Sequence, residues 1–299
     1  MNDQEVLQSQ QEIDAHLRGG RYAEAVAVCE QLRAKPALSP SVFLMISQVF
    51  QRVGDFPAML DAARAAAALQ PGHVGTRLRV VESQIYCGQI GAALAELGVL
   101  EGDLANDAPR LQDVAQMYLH CAGHIQAGRC YERALQLRPN HPSFLYNLAS
   151  SCVAVGEIDR AEQLFNQVIA LDPADVGAYL NRSMLRTWKK DNHHIDQLLK
   201  VLRLLPEGHA GEVPVCYALA KEYEDLGEAE KSFSALVRGA SARRKMLAYQ
   251  VDKDVAAMRQ IATTFDASLL ATATSAVTEE GAILSLVCRA AARRWWIVF

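Results

Sequence analysis

The 299-residue chain has no apolar run long enough to cross a membrane; a spanning helix needs about 20 such residues in succession. Its longest alanine stretch, Ala62 to Ala68, is broken by Arg64. The start, MNDQEVLQSQQEIDAHLRGG, lacks the basic region and apolar core of a secretory signal. Seven cysteines, an odd number, include no C-x-x-C pair. That usage argues against a disulfide framework and for a reducing compartment, so a cytoplasmic protein is expected. An excess of basic charge is also missing. The net charge is −4, which gives no overall field to attract nucleic acid.

Catalytic signatures are absent as well. Residues 1–280 contain no G-x-x-x-x-G-K-[ST], no G-x-G-x-x-G after a strand, no H-E-x-x-H and no G-x-S-x-G. No catalytic, cofactor-binding or metal-binding residue is therefore expected. Cys121, His124 and Cys130 lie close in sequence, but structural zinc needs four ligands at tight spacings, and they are read as small helix-packing residues. His193 and His194 are read as a surface pair, and Arg243, Arg244 and Lys245 as a solvated helix face.

What the chain does have is a period. Pro71 ends AALQP, Pro139 ends LQLRP and Pro173 ends IALDP. Pro139 and Pro173 are 34 residues apart, and Pro71 lies twice that distance before Pro139. With each proline at position 32, repeats start at Val6, Pro40, Val74, Ala108, Pro142 and Val176. Position 15 then holds Gly20, Gly54, Gly88, Ala122 and Gly156. Position 20 holds Ala25, Ala93, Ala127 and Ala161. Small residues at 8 and 20 let two helices approach, glycine at 15 turns the chain, and proline at 32 ends the second helix.

The repeat from Val176 degrades, with Arg186 at position 11, Lys190 at 15 and Ile195 at 20. After three extra residues, VPVCYALAKEYEDLG opens another good repeat at Val213. These residues resemble the tetratricopeptide pattern of helix-turn-helix units. The resemblance implies an all-α, right-handed superhelical solenoid with seven repeats over residues 6–246. A C-terminal capping helix within 247–270 is expected to cover the last apolar face.

The same resemblance implies a concave surface built from the first helix of each repeat, at positions 2, 5, 6, 9, 12 and 13. Here those slots include Gln48, Arg52, Arg79, Tyr86, Gln116, Tyr146, Asn147, Asn181 and Trp188. A protein or peptide partner is implied, and Asn147 and Asn181 could hold an extended backbone through their amides. Neither nucleic acid nor membrane is expected as a partner. Self-association of the array is the remaining alternative.

The stretches HIDQLLKVLRLLP and CYALAKEYEDLGEAEKSFSALVRGASARRKMLAYQVDKDVAAMRQIATTF are more particular. They are similar to the junction of bacterial proteins that join tetratricopeptide repeats to a sulfotransferase domain. In that family a following loop holds 3′-phosphoadenylyl sulfate, and this chain contains no such loop. Residues 271–299 are read as a linker and a frameshifted tail. Shifted by one base from the Gly281 codon, GAILSLVCRAAARRWWIVF can encode V-V-G-L-P-R-S-G-T-T-L-V-D-R-I, which resembles the donor-binding loop. On that reading a truncated sulfotransferase relative is a further alternative, and the cofactor belongs only to a full-length one.

Overall fold

The computed structural model describes residues 3–206 and 208–265. The tail from 271 onward lies outside them. Fifteen α-helices and no strand occur among the described residues. The chain divides into a unit of residues 1–242 and a second of 243–299.

In the first unit the helices come in antiparallel pairs. They are α1 (Asp3–Arg18) with α2 (Tyr22–Arg33), α3 (Pro40–Val53) with α4 (Phe56–Leu69), and α5 (Val74–Tyr86) with α6 (Ile90–Asp103). Next come α7 (Ala108–His120) with α8 (His124–Leu137) and α9 (Pro142–Val155) with α10 (Ile158–Leu171). The last two are α11 (Val176–Ser183) with α12 (Ile195–Leu204), and α13 (Glu212–Asp225) with α14 (Ala229–Met246). Five helices begin at the residue where the 34-residue period starts a repeat: Pro40, Val74, Ala108, Pro142 and Val176.

Local chemistry explains the joints. Gly20, Gly54, Gly88, Gly156 and Gly227 all turn with positive φ between the helices of a pair, from 70° at Gly20 to 85° at Gly156. That region is nearly free for glycine and costly for residues with a Cβ. Ala122 occupies the same slot and adopts it too, at φ 56°. Between pairs the proline acts on the residue before it. Gln70, Arg138 and Asp172 each end a second helix with φ between −132° and −138°. The following proline ring excludes helical ψ at that position. Two of the first helices that follow are capped by a side chain: His73 accepts from the Thr76 N–H at the start of α5 and Asp175 from the Ala178 N–H at the start of α11, while α9 has no such cap.

Within pairs the small residues meet. Ala115 and Ala127 are fully buried, as are Ala149 and Ala161. Two pairs replace an alanine by serine and use its hydroxyl across the crossing. Ser47 Oγ of α3 donates to the Met59 carbonyl of α4 at 3.0 Å, and Ser232 Oγ of α14 donates to the Ala220 carbonyl of α13 at 2.8 Å. The donor sits on the first helix in one pair and on the second in the other.

The apolar interior forms two clusters. One joins α1–α4 around Ile13, Cys29, Ile46 and Phe50; the other runs from Val81 to Leu219 around Tyr131, Phe144 and Phe165. The second unit contains the last residues of α14 and α15 (Val251–Thr264). No residue of α15 is buried. Val251, Met258 and Ile261 are exposed.

Candidate functional site: the first-helix wall

Three successive first helices, α3, α5 and α7, line a shallow depression of about 380 Å³. Leu44 and Gln48 come from α3; Gly75, Leu78, Arg79 and Glu82 from α5; Asp113, Gln116 and Met117 from α7. Three expected groove residues, Gln48, Arg79 and Gln116, are among them. Leu44, Leu78, Glu82 and Asp113 sit at slots 5, 5, 9 and 6 of their repeats, so the period pointed to them without distinguishing them. Met117, at slot 10, lay outside the slots considered.

The charges of this wall are already engaged. Arg79 reaches sideways between two pairs. Its Nε donates to Ser47 Oγ at 2.8 Å, and its Nη1 to Gln51 Oε1 at 2.9 Å and Glu82 Oε2 at 2.6 Å. Gln51 closes the ring by donating to the other Glu82 oxygen at 2.9 Å. The Arg79 side chain is only 10% exposed, and its Nη2 is buried without a partner. It is a joint between α3 and α5 more than a groove contact. Asp113 accepts from Arg110 at 3.2 Å.

The remaining expected residues separate. Gln48 and Arg52 are exposed and Asn147 is half-buried. Gln116 Nε2 donates to the Tyr131 hydroxyl at 2.8 Å. Burial, against that hydrogen bond, pushes the Tyr131 phenol up to about 12. Asn181 Nδ2 donates to the Tyr146 hydroxyl at 2.7 Å, linking α11 to α9. Burial and then the Asp175 charge raise the Tyr146 phenol, opposed by the Asn181 bond. Each amide keeps its carbonyl oxygen as a remaining acceptor. Tyr86 stacks on Phe56 with centroids 4.9 Å apart and lines a different depression, beside α4.

Trp188 is a correction. It is 1% exposed, so it lines no groove. The cause is the sixth pair. α11 stops after eight residues, so slot 13 no longer lies on a first helix. The indole N–H instead donates to the Ser183 carbonyl at 2.8 Å, and the Trp188 backbone N–H to Asp225 Oδ2 at 2.9 Å. Around it a polar cluster replaces the missing helical turns. Buried Glu222 accepts from Ser183 Oγ at 2.6 Å and from the His194 backbone N–H at 2.6 Å, and its Oε1 lies 3.1 Å from His194 Nδ1. Buried Arg182 donates to Asn166 and Gln197, both at 2.7 Å. His194 is therefore part of an interior network, not of a surface pair.

Burial keeps three thiols protonated. Burial above all pushes Cys29 and Cys130 up to about 12 and Cys152 up to about 11, far from the thiolate that reacts at neutral pH.

Residues 125–181 match the tetratricopeptide-repeat family. Two solved structures extend the likeness to most of the chain. The C-terminal part of a TPR repeat-containing protein from Cytophaga hutchinsonii is 16% identical over 78% of this chain and 95% of its own, with a TM-score of 0.55. A tetratricopeptide repeat protein from Parabacteroides merdae is 15% identical over 80% and 93%, with a TM-score of 0.51. The fold is a tetratricopeptide-repeat solenoid. At these identities the likeness is one of fold, and the matches concern the repeats alone, carrying nothing toward the sulfotransferase resemblance. Among curated proteins none matches.

Proposed function

We propose that this solenoid is a non-catalytic scaffold that holds a protein or peptide partner against the wall of α3, α5 and α7. One observation carries the reading. Three first helices bring Leu44, Leu78 and Met117 to one depression beside the amides of Gln48 and Gln116, while Arg79 pairs with Glu82 and Asp113 with Arg110. Apolar side chains with nearby amides suit an extended segment of little charge: the apolar groups seat a side chain and the amides meet backbone groups. The tetratricopeptide fold, generally an interaction scaffold, supports the same reading. Six described cysteines are free, which fits a cytoplasmic setting, and no described helix is long and apolar enough to cross a membrane.

The test compares wild type with Leu78→Arg and with a Gln48→Ala/Gln116→Ala double variant. Each purified chain is used to recover partners, which are identified by mass spectrometry and then titrated by calorimetry. A specific partner should be lost with Leu78→Arg and bind about tenfold or more weakly to the double variant, with unchanged helical circular dichroism. A partner that binds all three alike would place recognition on another face. Asn147→Ala/Asn181→Ala separates out the amide clamp: the Tyr146 bond of Asn181 argues for a structural share in any effect.

A further inference from the structure

α14 closes the seventh pair with one face and leaves the other bare. Ser232, Gly239 and Ala242 are buried, and Ser232 donates to the Ala220 carbonyl of α13. A Cβ on Gly239 would come within 3.0 Å of the Cys216 Cβ, so the two helices are in close contact there. On the opposite side Phe233 is 69% exposed, Leu236 44% and Val237 48%, with Ala240 exposed beside them. At 100° per residue, Glu230, Phe233, Val237, Ala240 and Arg244 share this stripe. A charge of opposite sign stands at each end: Glu230 in the first turn and Arg244 in the last. Both lie two turns from Val237.

That arrangement is its own complement. We propose that two copies of this chain associate through α14, antiparallel about a two-fold axis at Val237. A two-fold interface places the same patch on both sides, so each contact occurs twice. Glu230 of one copy then meets Arg244 of the other, and Phe233 lies over Ala240 and Ser241 of the other, large against small. Arg244 is free to do this. It stacks on the Tyr249 ring at 5.2 Å and gives one N–H to the Tyr249 carbonyl at 3.4 Å, which leaves further donors on the guanidinium. A parallel pairing would set Glu230 against Glu230 and Arg244 against Arg244. One helix pair is a small interface, so the dimer is expected at micromolar concentrations and not below. This surface is separate from the wall of α3, α5 and α7, and either proposal can fail alone.

Sedimentation equilibrium of the full chain across the micromolar range tests it. Wild type should show a reversible monomer–dimer equilibrium. Phe233→Asp, at an exposed position, should abolish the dimer with unchanged circular dichroism. Glu230→Arg and Arg244→Glu should each weaken it about tenfold, and the two together should restore it. A chain that stays monomeric throughout would leave this face to another partner and overturn the proposal. So would charge variants that change nothing, or a double variant no tighter than the singles.

Discussion

Ala122 shows how a single residue can carry the cost of a fold. It holds a left-handed turn that glycine holds in five other pairs. A residue with a Cβ pays about 1–2 kcal/mol there, against which glycine adds some freedom to the unfolded chain. Ala122→Gly is therefore expected to stabilise the protein by about 0.5–1 kcal/mol, read as a rise in the midpoint of urea unfolding at unchanged slope. A fall would mean that the φ of this turn is not what limits the residue. At this scale the sequence was legible wherever the backbone alone decides. Slots 8, 15, 20 and 32 constrain helix crossings and turns, and the period fixes them. It was not legible for Arg79 and Trp188. A slot on a helix gives the direction of a Cβ, but a long side chain can reach sideways to a buried acceptor, and a helix can end before its slot arrives.

The sixth pair is where an element departs from the pattern, and polar chemistry replaces shape. With no glycine to turn on and only eight residues in α11, buried Ser183 and Glu222 tie α11 and its long connection to α13, and buried Arg182 ties α11 to α10 and α12. The sequence showed the degeneration through Arg186, Lys190 and Ile195. It did not show the remedy, because Glu222 comes from the next repeat, where it looks like an ordinary helical acid. Burial alone would raise the Glu222 carboxyl above 4.5. Hydrogen bonds from the His194 ring, Ser183 and the His194 backbone overcome burial and lower it. A lowered folded value means stability that is fully present above the unfolded carboxylate value and lost as pH falls through the folded one. Glu222→Gln should thus cost about 1–3 kcal/mol at pH 7, and the gap to wild type should narrow below about pH 4.3. Thermal unfolding followed from pH 7 to pH 3 checks this; a gap that widens on acidification would reverse the assignment.

For the repeat array as a whole, stability is a chain of neighbour terms, and one of those terms differs in kind. The α1–α4 cluster and the α5–α13 cluster meet at the Phe56–Tyr86 stack and at the ring of Ser47, Gln51, Arg79 and Glu82. A polar joint with an unpartnered N–H contributes less than apolar contact of equal size. The first two pairs are therefore expected to open as a unit before the centre does. In native-state hydrogen exchange, amides of α1–α4 should share a lower protection plateau than those of α7–α10. One common plateau would show the joint to be as strong as its neighbours. Nothing in the period foretold this boundary, since Ser47 and Arg79 occupy regular slots; it comes from the pairing of side chains 32 positions apart.

The spacing of the first helices also sets a unit of length. Packed helices lie about 8–10 Å apart, and an extended chain advances about 3.3 Å per residue. A strand lying across the wall therefore moves on by about three residues for each pair it crosses. If the proposed partner binds there as a strand, its footprint between α3 and α7 is about six residues. A tandem ligand would have to repeat every third residue to meet successive helices in the same way.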